Sequence, residues 1–171
     1  MGAGRTSSAK EPVVTTLNQT WLNGPVRWNG KTTMAVDSLQ RQVKPGEYLT
    51  HNNVLYYFPG PAKISLTTKE QYGSWYRINR SRAKDIVHGK VFKFWIDHAV
   101  APSNANYAYI VVPGTKQLDQ KAMQQVKIWY NTPHIQAVEN KGLGIIQMIC
   151  HLGGTYQIGH WSIQTDKPIL L

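Results

Sequence analysis

The strongest constraint on this chain is punctuation. Short runs rich in Val, Ile, Thr, Tyr, Phe and Trp recur along almost the whole length, cut apart by Gly, Pro, Asn and Asp. β-branched and aromatic side chains suit a pleated, half-buried surface, and the interrupting residues favour turns. The pattern predicts strands near 13–19, 26–28, 32–36, 47–51, 54–59, 62–68, 73–77, 90–99, 106–112, 134–139, 143–150, 154–158 and 160–165. Two turns are legible in detail. Asn29-Gly30 lies between Val26-Arg-Trp and Lys31-Thr-Thr-Met, and Asn52-Asn53 lies between His51 and Val54. Asn and Gly tolerate the positive φ that tight hairpins require.

One segment departs from the pattern. Thr115 to Lys127 lacks Gly and Pro and spaces Leu118, Ala122, Met123 and Val126 as a helix face. The expectation is therefore an all-β chain, an antiparallel β-sandwich with a short helix near 118–127. At 171 residues it suits a single domain spanning 1–171. No apolar run approaches the 18 or so residues of a membrane helix, so no membrane span is expected. The first ten residues carry no apolar leader-like stretch.

Charge narrows the partners. Nineteen Lys and Arg face nine Asp and Glu, a net +10. Such a field favours nucleic acid, anionic lipid or an acidic polysaccharide, and charge by itself does not choose among them. Nucleic acid has no recognisable binding module in this sequence to support it.

Lys93 to Gly114 reads as a strand, a loop and a return strand, a hairpin holding Asp97-His98. Neighbours on a strand point to opposite faces, so these two side chains do not converge on one substrate. They read as framework, with Trp95. The six histidines lack metal-ligand spacing, no nucleophile elbow is present, and the sole cysteine, Cys150, sits in an apolar strand pattern. No metal and no cofactor are expected.

Two stretches combine rings with cations. Trp21 to Lys31 contains Trp28, Arg27 and Lys31, and Trp75 to Lys84 contains Arg77, Arg80, Arg82 and Lys84. Rings that stack on sugars, flanked by cations for acidic groups, suit a polyanion groove. Arg27, Trp28, Lys31, Arg77, Arg80, Arg82 and Lys84 are thus the candidate substrate-binding residues. Trp21 and Trp75 are expected in the core, and Arg80, Arg82 and Lys84 on the surface.

Five ordered motifs carry a resemblance. They are Pro12-Val-Val-Thr-Thr-Leu-Asn-Gln19, Tyr56-Tyr-Phe-Pro59, Gly73-Ser-Trp-Tyr-Arg-Ile-Asn79, Trp95-Ile-Asp-His98 and Tyr107-Ala-Tyr-Ile-Val-Val-Pro-Gly114. With Ile135-Gln-Ala-Val138 continuing the match, residues 2–160 resemble the central β-sandwich domain of the family 8 polysaccharide lyases, the chondroitin, hyaluronan and xanthan lyases. The resemblance implies a galactose-mutarotase-like supersandwich, of which this chain is the C-terminal portion. It implies a parent that cleaves uronate-containing polysaccharide by β-elimination, with its catalytic Asn, His, Tyr and Arg in a helical domain absent here. No catalytic residue maps onto this chain, which alone is then inactive. The implied partners are an acidic polysaccharide and the rest of the lyase. The implied location is secreted or periplasmic. Two readings compete with a lyase fragment: a stand-alone carbohydrate-binding β-sandwich without catalysis, and a basic nucleic-acid-binding domain.

Overall fold

The computed structural model describes residues 1–32 and 37–171. The strand expected at 32–36 falls almost wholly on 33–36, outside the described residues. In chain order the strands are β1 (Gly2–Arg5), β2 (Pro12–Trp21), β3 (Arg27–Trp28), β4 (Lys31–Thr32), β5 (Ser38–Val43) and β6 (Tyr48–His51). There follow β7 (Val54–Tyr57), β8 (Ala62–Thr67), β9 (Glu70–Gly73), β10 (Val87–Val100), β11 (Ala105–Tyr107) and β12 (Ile110–Pro113). The last six are β13 (Val126–Asn131), β14 (Ile135–Asn140), β15 (Ile145–Cys150), β16 (Gly154–Ile158), β17 (Trp161–Thr165) and β18 (Ile169–Leu170). Helix α1 covers Gln120–Gln124, inside the span expected for it, and Asp119 caps it by accepting the Ala122 amide over 3.0 Å. The described residues are all-β apart from such short helical turns, and every strand pair among them is antiparallel.

Where the sequence suggests one domain, the described residues divide into two compact units. One comprises Lys10–Val100 and Tyr109–Gln117. It contains two sheets, ordered β2-β10-β8-β5 with β9 on β10, and β12-β7-β6-β3-β4. Alternation on β10 turns Phe92, Phe94 and Ile96 inward, each nearly sealed from water. Facing rings fill the space. His51 stacks on Phe92 at 4.2 Å, and Tyr56 and Phe58 meet Phe94 edge-on at 5.5 and 6.1 Å. A buried aromatic of this kind contributes roughly 1.5–3 kcal/mol by leaving water, so this ring layer is a principal source of the sandwich's stability.

Both predicted hairpin turns form as read. Asn29 and Gly30 adopt φ of 47° and 77° between Trp28 and its partner Lys31, and Asn52 and Asn53 adopt 48° and 62° between His51 and Val54.

The second unit comprises Met1–Ala9, Ala101–Ala108 and Leu118–Leu171. It holds the pair β1-β11, the sheet β13-β14-β15-β18 and the hairpin β16-β17. Its core is Ile135, Ala137, Met148, Cys150 and Ile158, with Trp129, Tyr130 and Tyr156 packed against it. Burial pushes the Cys150 thiol up, away from the reactive thiolate.

Two local expectations are corrected. The stretch 93–114 is not a hairpin: β10 pairs with β2, β8 and β9, β11 pairs with β1, and β12 pairs with β7. Its loop is long enough for each strand to find other partners, and strand order is decided by which apolar faces bury together. The stretch 73–77 is not a strand. β9 stops at Gly73, and Trp75–Arg77 is a 3-10 turn in which Ser74 Oγ accepts the Tyr76 amide over 3.3 Å.

Candidate functional site

A largely apolar concave surface of the sandwich unit lies where β10 runs past the core. Its first residues pair Val87 with Gly73 and Lys90 with Glu70, so β9 and β10 form an arm that carries the loop 74–86. That loop is held by its own bonds. The Asn79 amide donates to Trp75 O over 2.8 Å, and Asn79 Oδ1 accepts the Ser81 amide at 3.0 Å and its hydroxyl at 2.7 Å. Trp21, Tyr72, Trp75, Arg77, Ile78 and Val87 line a cavity of about 340 Å³ here.

Trp21 and Trp75, expected in the core, are instead 60% and 63% exposed. The reason is positional: β2 ends at Trp21, and Trp75 sits in the loop, both past the ring layer that seals the core. Among the candidate cations, Arg77 lines the cavity, while the Arg80 guanidinium and the Lys84 ammonium lie over the Tyr76 ring at 4.9 and 5.1 Å. Arg82 is exposed and donates its amide to Asn79 O at 3.1 Å. Three exposed groups that sequence reasoning passed over sit on the arm. Glu70 accepts from Tyr72 OH at 2.8 Å and pairs with His88 Nδ1 at 2.7 Å, and the Tyr72 and His88 rings stack at 5.6 Å. The bond with His88, then that from Tyr72, holds the Glu70 carboxyl below its usual range, and Glu70 in turn raises the Tyr72 phenol. The signal was available: side chains two apart on a strand share a face, and Glu70 and Tyr72 are so spaced.

The other candidates belong to the β3–β4 turn. Arg27 is half-buried and lines a different, polar cavity of about 240 Å³ with Asn23, His51, Asn52 and Lys116. His51 is buried there, and its Nε2 accepts the Asn23 amide at 3.2 Å, so the ring proton sits on Nδ1. Burial pushes this imidazole toward the neutral form. Lys31 is exposed. Trp28 is only 8% exposed, with Arg41 over its ring at 4.7 Å and Phe58 beside it at 6.4 Å. A ring so enclosed packs as core and presents no face for stacking on a sugar. Of the candidates, Arg77 and Arg27 therefore line separate cavities, and the other five line neither.

Asp97 and His98 engage neighbouring framework. Asp97 Oδ1 accepts the Ala99 amide at 2.8 Å, where Ala99 has φ of 65° in a bulge of β10, and Oδ2 pairs with Lys63 at 3.0 Å. The Ala99 bond first, then Lys63, lowers the Asp97 carboxyl. His98 Nε2 and Thr15 Oγ1 share a hydrogen bond of 2.8 Å. Trp95 is half-buried, with the Lys93 ammonium 5.4 Å from its ring centre. Among the described residues no three His, Cys, Asp or Glu side chains gather as a metal site would need.

Residues 1–125 match the family model for the polysaccharide lyase family 8 super-sandwich domain, and 127–171 match that for the family's C-terminal β-sandwich domain. The chain belongs to polysaccharide lyase family 8. Its relatives include the chondroitinase-AC of Pedobacter heparinus, 40% identical over 171 residues, covering 98% of this chain and 24% of that protein. The xanthan lyase of Bacillus sp. is 29% identical over 162 residues, covering 85% and 17%. Among solved structures, a chondroitinase AC lyase studied through enzyme–oligosaccharide complexes superposes with a TM-score of 0.90 at 39% identity, over 98% of this chain and 25% of that one. This family 8 chain thus spans about a quarter of the length of chondroitinase-AC. The family match also changes from one domain to the other between residues 125 and 127, whereas the motif resemblance carried the central sandwich to residue 160.

Proposed function

We propose that this chain is the β-sandwich part of a longer bacterial polysaccharide lyase that cleaves uronate-containing polysaccharide, of the chondroitin or hyaluronan kind, by β-elimination. In such a reaction the uronate carboxylate is neutralised and a base removes the C5 proton. The C4–O bond then breaks as the C4=C5 double bond forms, and a proton goes to the departing oxygen. The residues that move those protons lie in a helical domain outside this chain. The observation that carries the reading is the match to chondroitinase-AC along 98% of the chain, at 40% identity.

Residues 1–125 then form the closing portion of the lyase's central domain. Their contribution is scaffold and groove wall. Arg77, Arg80, Arg82 and Lys84 on the arm, with Arg27 and Lys31 at the β3–β4 turn, meet the carboxylates or sulfates of the polymer. Arg suits this because its planar fork engages such anions at two points. Asp97, His98 and Trp95 serve the framework. The working partners are an acidic polysaccharide and the rest of the lyase, exported to the periplasm or medium where such polymers are met.

The test is the rise in ultraviolet absorbance of unsaturated uronide when chondroitin or hyaluronan is given to the full-length protein carrying this chain. Release of uronide by that protein, and none by the 171-residue chain, is expected. A full-length protein that leaves both polymers intact overturns the substrate assignment. Robust release by the 171-residue chain overturns the placement of the catalytic groups.

A further inference from the structure

The cavity on the β9–β10 arm has the composition of a ligand site rather than of incidental surface. Trp21, Tyr72 and Trp75 all line it, and they are 60%, 66% and 63% exposed. Single exposed apolar residues are ordinary on a protein surface, but three large rings gathered round one concavity are not. Its volume, about 340 Å³, falls within the range of roughly 300–1,000 Å³ usual for small-ligand pockets.

Two of the rings are also held in place, and the third stands on a fixed backbone. Trp21 lies so closely over Gly89 that a Cβ there would collide with the indole. Tyr72 is pinned by its bond to Glu70 and by its stack on His88. The Trp75 backbone is fixed in the 3-10 turn by the Asn79 amide on its carbonyl. Rings already held lose little freedom on binding, which favours affinity.

The surroundings select the ligand's charge. From Lys69 to Lys90 the chain has six cations (Lys69, Arg77, Arg80, Arg82, Lys84 and Lys90) against two carboxylates, Glu70 and Asp85. Arg77 lies in the cavity wall itself. Exposed ring faces suit the C–H face of a pyranose, and a guanidinium beside them suits its carboxylate or sulfate.

We propose that Trp21, Tyr72 and Trp75 form a sugar-stacking subsite for a uronate-bearing polysaccharide, with Arg77 as the anchor for its acidic group. The choice of polymer rests on the lyase reading above; the rings and their cations do not.

The experiment titrates the 171-residue chain calorimetrically with chondroitin sulfate and with neutral dextran. Trp21→Ala and Trp75→Ala are each expected to weaken chondroitin sulfate binding about tenfold, with a wild-type circular dichroism melt, and Trp75→Phe to recover most of it. Trp161→Ala, at an equally exposed tryptophan of the other unit, is expected to bind as wild type. Arg77→Gln is expected to reduce the preference for chondroitin sulfate over dextran. Wild-type affinity in both Trp21→Ala and Trp75→Ala overturns the subsite. So does a wild-type chain that binds neither polymer, which leaves the patch as a seat for another part of the protein. The uronide assay reads the other proposal separately. Uronide release with unaltered affinities sinks the subsite alone, and affinity losses without uronide release sink the lyase assignment alone.

Discussion

The Trp28 indole N–H donates to Glu47 Oε1 over 3.1 Å, beneath the Arg41 guanidinium that binds the same oxygen at 2.7 Å. Glu47 Oε2 also takes the Lys44 amide at 2.8 Å, and Oε1 takes the Asn29 side-chain amide at 3.1 Å. One carboxylate thus ties the core indole, the β3–β4 turn and the entry to β6 together. That is why Trp28 is spent on the fold.

Acid should loosen this tie. Burial alone would raise the Glu47 carboxyl. The bonds from Lys44, Trp28 and Arg41, with the Arg41 charge, outweigh it and bring the value from 4.5 to about 2. A carboxyl with a depressed native value adds stability that is complete above its ordinary range and is lost as pH falls toward the native value. The melting temperature is therefore expected to drop as pH goes from about 4.5 toward 2. Glu47→Gln is expected to cost about 1–2 kcal/mol at neutral pH, and its deficit should shrink over that acid window. A deficit independent of pH would show that the charge is not what matters.

Asp97 and His98 should behave as framework. Asp97→Ala frees the Ala99 amide in the β10 bulge and the Lys63 ammonium, and is expected to cost about 1–3 kcal/mol. His98→Gln, which can still reach Thr15, is expected to cost less. In the full-length protein, turnover per folded molecule should stay close to wild type for both. A loss of turnover by orders of magnitude at unchanged melting temperature would restore a catalytic role to this pair.

Gly89→Ala separates stability from binding. The added Cβ occupies the space where the Trp21 ring lies. Because that ring is 60% exposed, it can swing into solvent at little cost to the fold. The expected result is a melting temperature within a few degrees of wild type, a red-shifted tryptophan emission and weakened chondroitin sulfate binding. Unchanged emission and affinity would show that the flat seat of Trp21 is not required.

The basic loop should register as salt dependence. Arg77, Arg80, Arg82 and Lys84 are exposed, so each contact with a polyanion is weak and screened over about 8–10 Å at physiological salt. Retention of the chain on immobilised chondroitin sulfate is expected to fall steeply between low and high salt. Changing all four to Gln should flatten that dependence while sparing the melt. Retention that ignores both salt and the four changes would mark the loop as merely solvated surface.

Much of the fold was local information. The turns at Asn29-Gly30 and Asn52-Asn53 depend on backbone conformations that those residues tolerate, so spacing alone revealed them. The short helix near 118–127 followed from the lack of breakers and the spacing of its apolar residues. What sequence could not determine was set by distant partners. Nothing near Tyr107 or Val111 says that β11 pairs with β1 and β12 with β7, because strand pairing is chosen by which faces bury together between distant stretches of the chain. The same holds for the tryptophans. Trp28 and Trp75 both sit among cations in the sequence, yet one is sealed beneath Arg41 and bonded to Glu47 while the other stands in solvent. Only the tertiary structure decides whether an indole has reached the core layer or passed beyond its end, and so whether it holds the fold or faces a ligand.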